Sequence, residues 1–311
     1  MEILDITPSL YSTIIANPTQ TFNSSAFSNL NASKCDKIHY LVFKDSKYRL
    51  GITLGVRNNI LISPFSASFG GFEAVYRDIK IHQIDQAITK LIEWAKENNY
   101  EGIKLISPPS FYNPNFDAKI TNCLYRAGFE TKNIELNYNF EISNLNENYL
   151  TSIWYNARKN LKKALSFPFD FIKLDNEEGK RAYDVIAINR SERGFPLRLS
   201  YEQLKETESV IPIDYFLVED EKNPIAAAIV YHLSHKVVRV VYWGDLPEFS
   251  DYKTMNFLSY KIFEYYIKLG ISFIDIGHST VESVPNNGLC EFKESIGCSL
   301  GLLYEYYKKL N

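Results

Sequence analysis

Three side chains late in the 311-residue chain carry the strongest chemical suggestion. Lys293 follows Phe292 in residues 287–297, a segment that reads as a helix. An ammonium fixed there could stabilise negative charge developing on a carbonyl, or bind a donor phosphate. The alternative is a surface lysine paired with Glu291 or Glu294, an interaction worth little. Asp275 and His278 end a predicted strand over residues 272–277, where open α/β sheets present side chains to a cleft. A histidine can act as a base near neutral pH, and a carboxylate can orient an acceptor. Asp275 could equally cap the turn before Ser279.

A second group could bind rather than react. Arg158, Lys159, Lys162 and Lys163 sit on neighbouring turns of a helix predicted over residues 149–166, which suits a phosphate-bearing carrier or a merely solvated basic face. Asn189, Arg190, Glu192 and Arg193 precede a break at Gly194 and Pro196, where a polar loop could meet an acceptor. Tyr242 and Trp243 end a predicted strand and offer either an aromatic wall or core contacts. Phe69-Gly70-Gly71 precedes a helix whose first amides could hold a cofactor phosphate; a plain turn is the other reading. Cys35, Cys123, Cys290 and Cys298 show neither a CxxC pair nor metal-ligand spacing, so reduced thiols and no metal are expected.

The elements that must position these residues occur twice. Strands over residues 38–43, 48–56 and 59–63, a helix over 84–98 with Ile88, Leu91, Ile92 and Ala95 on one face, and a strand over 102–107 make the first set. A short helix over 118–126 and paired strands over 130–142 close it. Strands over 214–219, 224–233 and 237–243, a helix over 254–269 and a strand over 272–277 repeat the order. Tyr40 corresponds to Tyr215 and Glu93 to Glu264, so register is nearly preserved. Residues 149–208 between the sets read as a helical insert, with the domain boundary near residue 145.

Segments 273–279 (Phe-Ile-Asp-Ile-Gly-His-Ser) and 287–297, with Phe292-Lys293 and Gly297, resemble the signature of the FemAB transferases: a strand ending in Asp-Phe-Gly, then a helix bearing Phe-Lys. Residues 154–164 resemble the Arg-rich helix that opens the second half of those proteins. The resemblance implies an α/β (α+β) chain of two GNAT-like domains, residues 1–145 and 146–311, each a mixed, mostly antiparallel sheet flanked by helices. It implies acyl transfer, with acyl-CoA as co-substrate and an amine or hydroxyl of a small or carrier-linked cell-envelope or polysaccharide acceptor. Aminoacyl-tRNA donation, or a catalytically inactive binding module, is the alternative. In this reading Lys293, His278 and Asp275 are catalytic. Arg158, Lys162, Asn189, Arg193, Tyr242, Trp243 and Phe292 bind substrate, and Gly70 and Gly71 bind the cofactor. Neither half carries a full glycine-rich pyrophosphate pattern, and residues 244–254 hold no such loop.

Bulk properties narrow the partners. A net charge of −3 and a pI near 6.0 advertise no global affinity for nucleic acid or an acidic membrane. No secretory signal pattern and no long apolar run are visible, so a cytoplasmic protein is expected. The 22 Tyr and 20 Phe suggest an aromatic cleft or a compositional bias.

Overall fold

A computed structural model describes residues 1–310. They form two compact units, residues 1–135 together with those from 301 onward, and residues 136–300.

In chain order the first unit contains β1 (Glu2–Asp5), α1 (Pro8–Ile14), α2 (Ser25–Leu30), β2 (Lys37–Lys44), β3 (Tyr48–Arg57), β4 (Ile60–Ser63), β5 (Glu73–Ala74), α3 (Ile81–Glu97), β6 (Gly102–Ile106), α4 (Pro114–Arg126) and the start of β7 (Glu130–Glu141). The hairpin of β2 and β3 is turned by Asp45, whose carboxylate accepts from the Lys47 amide at 3.1 Å. On α3, Ile84, Ile88, Leu91 and Ala95 recur at helical spacing and are buried against the sheet. Gln83 caps its start by accepting from the Lys80 amide at 3.1 Å. Neighbouring strands run β1-β2-β3-β4-β6. All pairs are antiparallel except β4 and β6, which are parallel, as a helical crossover such as α3 requires.

The second unit contains α5 (Tyr149–Ser152), α6 (Tyr155–Ala164), β8 (Asp170–Leu174), α7 (Gly179–Glu192), α8 (Tyr201–Glu208), β9 (Ile213–Asp220), β10 (Asn223–His232), β11 (Val237–Asp245), α9 (Thr254–Lys268), β12 (Phe273–His278), the small hairpin β13 (Thr280–Val281) and β14 (Val284–Pro285), α10 (Asn287–Ser295) and the start of β15 (Ser299–Lys309). Its sheet runs β7-β12-β11-β10-β9-β8, again with one parallel pair, β11 and β12, joined through α9. The meander, crossover helix and parallel strand thus stand in the same order in both units, which is the repeat read from the sequence.

Several elements differ from expectation. Residues 149–166 are two helices, because the backbone turns extended at Ile153 and Trp154. The stretch between α6 and α7 is not wholly helical: alternating Asp170-Phe-Ile-Lys-Leu pairs with β9 as an edge strand. Residues 130–141 form one twelve-residue strand instead of a pair. The C-terminal strand returns to the first unit, where Glu305–Lys309 pair with Gly102–Ile106 of β6. About half of the large aromatic side chains are buried in the cores; Tyr11, Tyr138, Tyr215 and Tyr266 are fully buried, and Phe140 stacks on Phe263 at 3.7 Å. All four cysteines are free. No helix of the described residues is long and apolar enough to cross a membrane.

One buried network ties the second sheet to α9. Asp214 accepts from the Tyr266 hydroxyl at 2.8 Å, lies 2.6 Å from His232 Nε2, and faces Lys173 at 3.2 Å. Burial alone would raise its pKa, but the bonds from His232 and Tyr266 and the charges of His232 and Lys173 hold it below the ordinary 3.8. A carboxylate so depressed contributes stability that is complete above its unfolded pKa and is lost as pH falls through the folded value. Asp214→Asn should therefore flatten the acid limb of a melting-temperature profile below pH 3.8. A limb as steep as that of the wild type would assign acid sensitivity elsewhere.

Candidate active site

In the second unit β11 and β12 pair at only three positions, Val237 with Phe273, Val238 with Ile274 and Arg239 with Asp275. Beyond Asp275 they share no further register. Both strands are irregular just there. On β11 the register with β10 skips Val241, and on β12 the register with β7 skips Ile276. Bulges of this kind re-aim backbone groups and bend a strand. The two edges beyond the last pair therefore present backbone to a gap.

The apex of the gap is held by a buried ion pair. Asp275 is fully buried and takes the Arg239 guanidinium, with further bonds from Asn137 Nδ2 at 3.0 Å and the Gly277 amide at 2.9 Å. Gly277 is needed at that turn: its φ is +78°, and a Cβ would stand 3.3 Å from Arg239 Nη2. Asp275 is thus committed to its neighbours, while His278 is exposed at the strand end.

Beside this end lies α10, started by Asn286, whose side chain accepts from the Leu289 amide at 3.1 Å. It carries Phe292, which meets Trp243 edge-on at 6.0 Å, and Lys293. Lys293 is not a surface lysine, being only 4% exposed. Its ammonium donates to the carbonyls of Gly277 at 2.8 Å, Ile276 at 3.2 Å and His278 at 3.4 Å, spending all three protons on the end of β12. Glu294 accepts instead from Tyr138, at 2.8 Å. Burial pushes the Lys293 pKa down to about 8, although nearby Cys298 and Asp275 favour the charged form.

The remaining sequence candidates have other partners. Asn189 is buried and donates to the Asp245 carbonyl at 2.7 Å; it lies so close to Gly244 that a Cβ there would meet it at 2.5 Å. Arg193 pairs with Asp245 at 3.1 Å, and Asp245 also accepts from Thr254 Oγ1 at 2.7 Å, at the first residue of α9. Tyr242 is buried beneath Arg190, whose guanidinium lies 5.3 Å from its ring. Arg158 is half-buried over Tyr155 and Lys163 donates to the Asp251 carbonyl at 2.9 Å, whereas Lys159 and Lys162 are exposed. In the first unit the Gly70 amide donates to the Ile106 carbonyl at 2.8 Å and the Gly71 amide to Ser63 Oγ at 3.0 Å. Both amides are therefore already used. Among the described residues no cluster of three or more His, Cys, Asp or Glu is placed to hold a metal ion.

Sequence reading passed over Arg239, Asn137 and Asp245. Arg239 did leave a signal: one arginine inside Val237-Val-Arg-Val-Val241 must either leave the sheet or find a buried carboxylate.

No family model and no curated protein sequence matches the chain. Solved structures do. The chain is similar to FemX, at 14% identity and a TM-score of 0.73, over 100% of this chain and 98% of that one. It is similar to L-PGS from Bacillus licheniformis at 12% identity, TM-score 0.61, covering 99% and 93%. It is also similar to a tandem GNAT protein from the clavulanic acid biosynthesis pathway at 6% identity, TM-score 0.55, covering 100% and 98%. Identities this low speak to architecture and leave chemistry to the site, and on that footing the chain shares the fold of FemX and of the tandem GNAT protein.

Proposed function

We propose that this protein transfers an acyl or aminoacyl group to an amine or hydroxyl of a carrier-linked cell-envelope acceptor, with the reacting carbonyl lying in the gap between β11 and β12. The observation that carries this reading is the gap itself, bordered on both sides by bulged strands. Backbone N–H groups turned out of a ladder can receive the oxygen of a carbonyl as it becomes tetrahedral. In this reading His278, exposed at the same strand end, takes a proton from the attacking group. Lys293 spends its protons on β12, so it acts as a positioning residue that fixes the strand end and sets a positive charge behind it. The fold shared with FemX and L-PGS supports the same class of reaction.

The donor expected from the sequence, acyl-CoA, needs free amides for its pyrophosphate. The Asp245 carboxylate stands at the start of α9, where such amides would be sought, and the amides of Gly70 and Gly71 are bonded. These observations favour the second donor, an aminoacyl-tRNA. Exposed Trp154 (48%) and Tyr155 (69%), beside Lys159 and Lys162, offer stacking faces and cations to a single-stranded end.

Thermal shift and turnover with a panel of acyl-CoAs and aminoacyl-tRNAs test the reading together. Salt-sensitive stabilisation and turnover with aminoacyl-tRNA are expected. Turnover with an acyl-CoA would reverse the donor choice, and binding without any turnover would leave a ligand-binding module.

A further inference from the structure

Arg190 on α7 and Arg193, the residue that caps its C-terminus, have opposite surroundings. Arg193 has its carboxylate, Asp245, at 3.1 Å. Arg190 has none: among the described residues no carboxylate forms an ion pair with it, and its Nε is shut away from solvent with no acceptor. Its guanidinium lies instead between two aromatic faces, 5.3 Å from the Tyr242 ring and 5.8 Å from the Phe195 ring. Burial makes its charged form harder to hold; Tyr242 favours that form, and the neighbouring cation Arg198 disfavours it. Tyr183, about two helical turns before Arg190, donates to the Leu199 carbonyl at 3.1 Å and so ties the segment carrying Phe195 and Arg198 back to α7.

A guanidinium that is half removed from water, short of an acceptor and next to a like charge is costly unless something negative joins it. The aromatic faces soften that cost and orient the plane of the fork, but they supply no acceptor for Nε. A fixed fork, with the charge of Arg198 acting on it, matches the geometry of an oxyanion that can take several N–H donors at once. We propose that Arg190, with Arg198 and the rings of Tyr242 and Phe195, forms a binding site for an oxyanion, the phosphate or carboxylate group of a ligand. Tyr242 follows Val241, the residue skipped in the β11 register, so such an anion would be anchored next to the gap. The site is read from α7, the segment that follows it and β11, and stands whether or not transfer occurs.

Calorimetric titration of the full chain at low salt, with inorganic pyrophosphate in one arm and succinate in the other, decides the matter. Saturable binding is expected in at least one arm, and the stronger arm tells phosphate from carboxylate. Arg190→Met should weaken that binding by at least about tenfold, the usual loss for one charge-assisted pair, while Arg190→Lys should weaken it less. Because Met replaces an unmet buried charge with apolar volume, the ligand-free melting temperature of Arg190→Met should stay level or rise. Absence of binding in both arms, or equal binding by wild type and Arg190→Met, would overturn the site. A sharp fall in the ligand-free melting temperature of Arg190→Met would overturn it too, by making Arg190 a structural residue already satisfied without a ligand.

Discussion

Lys293→Met is expected to lower transfer by about 10²-fold while cooperative unfolding is retained, because a strand end no longer held by the ammonium misplaces the reacting groups. Single-turnover rates at saturating donor give the comparison, and an unchanged rate would remove Lys293 from the mechanism. Stability supplies a second readout that does not depend on the substrate. The folded pKa of Lys293 is about 8 against an ordinary 10.5, because burial disfavours its charge. Between these values the unfolded chain binds more protons than the folded one, so folding stability rises as pH increases from about 8 to 10.5. Below pH 8 the full cost of burying the ammonium is present. The methionine variant has no such group, and the difference between the two urea midpoints should shift across this window. A difference that stays flat with pH would mean that the lysine is not desolvated as described.

Asp275→Ala should cost about 3–5 kcal/mol of folding stability, measured by urea denaturation, because it strands the Arg239 charge in the sheet. Asp275 is fully buried and Arg239 nearly so, which places the pair far from the surface regime in which ion pairs contribute little. The loss would also release the Gly277 amide and Asn137 Nδ2. Replacing both partners, Arg239→Met with Asp275→Leu, should cost much less than the single change, since no uncompensated charge remains. If Asp275→Ala cost under about 1 kcal/mol, the apex of the gap would have to be held by something other than this pair.

The parts of the fold with strong periodicity were legible from residues alone. Helix α3 announces itself through Ile84, Ile88, Leu91 and Ala95, and the hairpins through β-branched runs broken at Asp45 and Asn223. The edge strand β8 was hidden because five alternating residues between two helices carry little signal. Which unit β15 joins is a tertiary choice that local pattern cannot express. At the site, sequence spacing brought Asp275, His278, Phe292 and Lys293 to one place but could not assign their bonds. Lys293 looked equally suited to Glu294, one residue on, and only burial sends its ammonium to the end of β12. Asn189 and Arg190 show the same limit: adjacent residues on a helix point about 100° apart, so their order in sequence does not say which clamps the sheet.

The return of the C-terminal strand to the first unit has a bearing on how the molecule is made. Residues 136–300 are contiguous, so most of what their core requires is synthesised before Glu305–Lys309 are. The first unit was begun earlier but waits, because the edge of β6 that Glu305–Lys309 will cover stays open until those residues appear. The unit begun first therefore keeps an open edge until one of the last strands is made.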